Sequence, residues 1–132
     1  MIGIQVITHG KFAEGIIDSV DMIIGNTEQV AHNELKRGQD IDEFREEVKE
    51  TTEQIMSEDG VLIFVDMFGA SPYNSALINS RDIEGDNYKV ITGVNLPLLI
   101  EAISNRASMD LDKLYKHILD SAEHAVMGWE KE

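Results

Sequence analysis

The chain has 132 residues, enough for one packed domain with a single sizeable core, and its 42% hydrophobic and 27% charged content is ordinary for a folded globular protein. It has no cysteine, which excludes disulfides, thiolate chemistry and cysteine-ligated zinc. Eleven basic residues against 25 acidic ones give a formal charge of −14, which repels nucleic acid and anionic lipid and would steer a basic protein partner inward.

Taken alone, that charge is explained by solubility. No apolar run reaches the ~18 residues that cross a bilayer. The opening MIGIQVITHG lacks the basic flank and cleavage site of a signal peptide. A cytoplasmic location is the expectation. There is no linker composition, low-complexity stretch or internal repeat, so residues 1–132 read as a single domain.

In chain order, residues 2–8 are a short apolar strand ending at His9-Gly10. From Lys11 to Ile24 the spacing of Phe12, Ile16, Val20, Ile23 and Ile24 predicts one apolar helical face, with Gly25 as a left-handed C-cap. Residues 29–35 suit a weaker strand. Asp40 is placed to cap a helix with Ile41, Phe44, Val48 and Ile55 inward. After the Asp59-Gly60 turn, VLIFV (61–65) is a continuous apolar run, the pattern of a strand covered on both faces. Ser71-Pro72 reads as N-cap and first residue of the next helix.

Tyr88 to Thr92 forms a fourth strand, followed by a Gly-Val-Asn turn and a helix around Leu98 to Ser104. Asp110 caps a last amphipathic helix through Leu111, Leu114, Ile118 and Ala122. The ending, AVMGWE, is compatible with helix or strand. Strands alternating with single helices predict an α/β fold, a doubly wound, mainly parallel open sheet with helices on both faces.

In such a sheet, ligands and reactive groups gather beyond the carboxyl ends of the strands. Three motifs stand at those ends: Thr8-His9-Gly10, the segment Asp66 to Pro72, and Gly93 to Pro97. With the first strand central, His9 and Asp66 would project from neighbouring strand ends. A carboxylate beside an imidazole takes the hydrogen of one ring nitrogen and leaves the other's lone pair free to attack. A phosphoryl group arriving there would find donors in the amides of Gly69, Ala70 and Ser71, in the Ser71 hydroxyl, and in the dipole of the following helix. Lys11 is the only cation within the motifs, and no Walker loop or GxGxxG is present.

Each feature also has a purely structural reading: a strand-end histidine, a turn-forming aspartate, and an Asn95 that caps a helix. Their joint placement is what points to chemistry. His117 and His124 lie ~10 Å apart along a helix, too far to share a metal. His32 has no acidic partner at ligand spacing, so all three read as structural. No metal or cofactor is expected.

ITHGKFAEG (7–15), FVDMFGASPYN (64–74) and ITGVNLPLLIE (91–101), in this order and spacing, resemble the enzyme IIA of the mannose family of bacterial sugar phosphotransferase systems (PTS) over essentially the whole chain. The resemblance implies that His9 is the phosphoryl acceptor and that Asp66, opening the D-x-[FW]-G-[GA]-S-P segment, orients it. Thr8, Gly10, Phe68 and Asn95 would support the loops or face a partner. It implies HPr, the histidine phosphocarrier protein, as donor, a histidine of enzyme IIB as acceptor, and the membrane subunits IIC and IID as indirect partners. It further implies a homodimer that exchanges a C-terminal antiparallel strand, to be sought in residues 124–130. With no Pro/Ala-rich linker or fused IIB domain, enzyme IIB is expected as a separate chain. The alternatives are a phosphoryl-transfer subunit of a dihydroxyacetone kinase and a ligand-binding regulatory module without covalent chemistry.

Overall fold

A computed structural model describes residues 1–132. Four strands, β1 (Gly3–His9), β2 (Val30–Leu35), β3 (Val61–Val65) and β4 (Tyr88–Thr92), form one parallel sheet in the order β2-β1-β3-β4. Five helices connect or follow them: α1 (Phe12–Ile24), α2 (Ile41–Ile55), α3 (Ser71–Asn79), α4 (Leu96–Asn105) and α5 (Leu111–Ser121). No helix is long and apolar enough to cross a membrane. The expected α/β class, with a mainly parallel open sheet, is what the chain adopts.

Alternation along the two central strands divides the interior into two cores. Ile4, Val6, Leu62 and Phe64 face one side, where α1, α4 and α5 cover them with Ala13, Val20, Leu99 and Leu114. Ile7, Val61, Ile63 and Val65 face the other, against Phe44, Val48 and Ile55 of α2 and Ala76 of α3. All five residues of β3 are buried, as its unbroken apolar run demands.

A polar network also enters this interior. Gln5 is fully buried on the α2 side. Its Nε2 donates to Asn33 Oδ1 (2.8 Å) and to the Val48 carbonyl (3.2 Å), and its Oε1 accepts from the Thr52 hydroxyl (2.7 Å). Because an unmade bond here would leave a buried amide unsatisfied, the network fixes α2 in register against β1 and β2. At the opposite end of the sheet from His9, Gly3 lets α2 close tightly: a Cβ there would lie 2.5 Å from the Ile55 carbonyl oxygen.

Several expectations change at element ends. Phe12 and Ile23, in the first and last turns of α1, are 48% and 57% exposed rather than inward. Ile41, in the first turn of α2, is also exposed. Ala70 rather than Ser71 is the N-cap of α3, and Ser71 is its first helical residue. α4 starts earlier than predicted, at Leu96, while α5 stops at Ser121 and Ala122 opens a short, exposed 3₁₀ turn. Residues 125–132 adopt neither helix nor strand in the single chain, leaving Val126, Met127 and Trp129 exposed.

Candidate functional site

Strand order makes the site. The connection after β1 runs through α1 to β2 on one side, while β3 lies on the other side of β1, so a crevice opens where the carboxyl ends of β1 and β3 diverge. His9 ends β1, and Asp66 follows β3 by one residue. The β1–β3 register, with Ile7 opposite Val65, brings the two together across 57 residues of sequence.

Asp66 holds His9 twice with one oxygen. Oδ2 lies 2.6 Å from His9 Nδ1 and accepts the His9 backbone N–H at 2.9 Å. Oδ1 accepts the Met67 N–H at 3.0 Å. A carboxylate offers only acceptors, so Nδ1 carries the hydrogen and the lone pair of neutral His9 is on Nε2. The Asp66 side chain is 13% exposed and that of His9 49%, which leaves the imidazole open to an approaching molecule while its anchor is shielded.

The loop after β1 is built to hold this position. Thr8 is buried, its hydroxyl accepting the Ala13 N–H at 2.8 Å and donating to the His9 carbonyl at 3.1 Å. It thereby caps α1, whose own N-cap residue, Lys11, supplies no side-chain bond. Thr8 therefore faces inward and does not meet a partner. Gly10 takes a left-handed φ of 54° and donates its N–H to the Leu35 carbonyl (2.9 Å), tying the loop to the end of β2.

On the other flank, Gly69 turns the chain with φ 80° and α3 begins at Ser71. The N–H groups of Gly69, Ala70 and Ser71 have no hydrogen-bond partner, and neither does the Ser71 hydroxyl. They are free donors at the positive end of a helix. Phe68 is 75% exposed, its ring tilted at 42° to that of Tyr73 with centroids 4.8 Å apart. Asn95 faces its own helix, accepting the Leu98 N–H at 3.0 Å as N-cap of α4.

A carboxylate partner is not by itself distinctive, since all four histidines have one within 4 Å, His124 with Glu123 at 3.4 Å among them. His32 Nδ1 lies 2.8 Å from Glu34 and His117 Nε2 lies 2.7 Å from Glu101. The Glu34 contact corrects the expectation that His32 lacks an acidic neighbour, because residues two apart share a strand face. His9 alone stands at the carboxyl edge of the sheet with its backbone bound by the same carboxylate. No three His, Asp or Glu side chains are grouped to hold a metal ion.

Lys11 is the only cation within the motifs, but two further cations outside them stand beside the site. A depression of about 440 Å³ beside the imidazole is lined by His9, Gly10, Leu35, Lys36 and Arg37. Sequence reasoning missed the pair because it follows β2 and reaches His9 only through strand order. The visible signal was a Lys-Arg-Gly turn in an acidic chain.

Comparison with known proteins agrees with this architecture. The family described as "PTS system fructose IIA component" matches residues 3–119. The fructose-specific EIIA component of Bacillus subtilis is 31% identical over 118 residues, which cover 89% of this chain and 80% of that protein. The mannose-specific EIIAB component of Escherichia coli K12 is 31% identical over 105 residues. Those residues cover 80% of this chain but only 32% of that longer protein. Among solved structures, the phosphotransferase component EIIA of Streptococcus agalactiae superposes with a TM-score of 0.87 at 26% identity, covering 97% of both chains. The chain belongs to the mannose-type EIIA family of the phosphotransferase system, a family of sugar-transport components.

Proposed function

We propose that the chain is a phosphohistidine carrier, taking a phosphoryl group from phospho-HPr on Nε2 of His9 and passing it to a histidine of enzyme IIB during sugar uptake. The observation that carries this reading is the double hold of Asp66 on His9, which leaves Nε2 as the free nucleophile. In the transfer, the Nε2 lone pair forms the new N–P bond as the donor's N–P bond breaks, and the electron pair of the broken bond returns to the donor imidazole. Asp66 keeps the Nδ1 hydrogen in place and balances the positive charge that develops on the ring. The free amides of Gly69, Ala70 and Ser71 and the Ser71 hydroxyl are suited to the phosphoryl oxygens. No cofactor is required, because the group moves directly between imidazoles.

Incubation with enzyme I, HPr and phosphoenolpyruvate, followed by mass spectrometry, tests the assignment. The expected product is a single acid-labile, alkali-stable phosphoryl group on His9, absent from His9→Ala. Label on His32, His117 or His124, or label persisting in His9→Ala, overturns it. A protein that takes no label at all would instead be a non-covalent module.

A further inference from the structure

We infer that Lys36 and Arg37 form a binding pair for the phosphoryl group carried on His9, held beside the imidazole by the turn that follows β2. The inference rests on the carrier reading above and adds two residues to it.

Three observations support it. The first is place: both residues line the same depression as His9. The second is charge. Lys36 and Arg37 are exposed and make no salt bridge, although the chain carries 25 acidic residues against 11 basic ones. Of the 11 basic side chains only Arg45, Lys49 and Lys89 pair with an aspartate (Asp42, Asp82 and Asp112), so it is their place beside His9 that sets Lys36 and Arg37 apart from the other unpaired cations. Two adjacent cations without a carboxylate partner therefore remain available to an incoming anion.

The third is rigidity. The Lys36 carbonyl accepts the Gln39 N–H at 3.1 Å, and the Lys36 N–H donates to Gln39 Oε1, also at 3.1 Å. Gly38 supplies the left-handed residue of this turn, with φ 71°. Gln39 Nε2 in turn donates to Glu47 Oε2 on α2 at 3.1 Å, and the Gly10–Leu35 bond fastens the His9 loop to the same strand end. The backbone beneath the two cations is thus fixed relative to His9.

The chemistry follows from the charges around the ring. A phosphoryl group on nitrogen approaches two negative charges near neutral pH, and the Asp66 carboxylate already occupies the Nδ1 side. Cations in the depression beside the imidazole offset both, and Arg37 can meet two phosphoryl oxygens at once.

The test compares wild type with the double variant Lys36→Gln/Arg37→Gln, both phosphorylated through enzyme I and HPr. Phosphorus NMR of the purified phosphoproteins then follows the last ionisation of the phosphoryl group. Nearby cations favour the dianion, so their removal should raise that ionisation by about half a pH unit. It should also lower the equilibrium ratio of phosphorylated to free protein against HPr about three- to tenfold. Both effects should shrink in high salt and be reversed in the swapped pair Lys36→Arg/Arg37→Lys. Should the double variant misfold by circular dichroism, Arg37→Gln alone should show the same shifts, reduced.

Unchanged ionisation and occupancy in a labelled variant overturn the inference and leave the carrier reading intact. Slower association with HPr at unchanged ionisation overturns it in favour of a docking role for the pair. A wild type that takes no label overturns the carrier reading, and this inference falls with it.

Discussion

Asp66 is surrounded by three hydrogen-bond donors, the His9 ring, the His9 amide and the Met67 amide, and answers them with two oxygens. An asparagine there has one oxygen and one NH₂ group, so it cannot satisfy both sides. With its NH₂ toward His9, it would favour the tautomer that protonates Nε2 and removes the nucleophile. Asp66→Asn should therefore fold but transfer the phosphoryl group roughly ten- to a hundredfold more slowly in rapid-quench assays. Near-normal rates would make Asp66 a turn residue only. His9 and Asp66 were legible in the sequence because each ends an apolar run, and strand ends are where an α/β sheet exposes side chains. Lys36 and Arg37 were not, since nothing local marks a surface Lys-Arg turn as adjacent to a residue 27 positions earlier. The exchange of Ser71 for Ala70 at the helix start was equally hidden, because a free serine hydroxyl beside a proline looks like a cap until its hydrogen bonds are known.

At the scale of elements, period-two and period-3.6 patterns located the strands and helices, and the errors fell at helix ends. Phe12 and Ile23 obey the helical spacing of α1 yet are exposed, which periodicity alone cannot reveal. The same limit applies to β4, an edge strand attached to α3 by one side chain. The Tyr88 hydroxyl donates to the Ala76 carbonyl at 2.6 Å, and burial holds its phenol well above the usual value. The folded protein keeps this proton, whereas an unfolded chain releases it above about pH 10. The contribution of Tyr88 is therefore fully present below that pH and is lost as pH rises toward the folded value. Chemical denaturation should show stability falling above about pH 10, with a shallower fall in Tyr88→Phe. The variant itself should be about 1 kcal/mol less stable at neutral pH, because the Ala76 carbonyl loses its donor. Equal alkaline slopes in the two proteins would remove Tyr88 from this account.

For the whole molecule, the last residues leave apolar side chains without a cover in the single chain. Val126, Met127 and Trp129 are 81%, 84% and 85% exposed, and such an apolar group is costly to leave in water. Both edge strands, β2 and β4, keep an unpaired side. We expect a homodimer in which residues 124–130 of each subunit add a strand to the other. Removal of residues 123–132 should then yield monomer or aggregate by light scattering, and a truncated protein equally dimeric and stable would refute the exchange.

Strand order also sets the time at which the site comes into being. β1 is first in the chain and central in the sheet, but the carboxylate that prepares its histidine arrives 57 residues later. At about 5–20 residues per second, a ribosome needs several seconds to synthesise that interval. During synthesis, an emerging chain carries His9 without its partner and lacks α4 and α5, which later cover Ile4 and Val6. The first strand of the nascent chain therefore waits without β3 beside it. A chaperone that binds short extended hydrophobic segments would find its target in the first residues made.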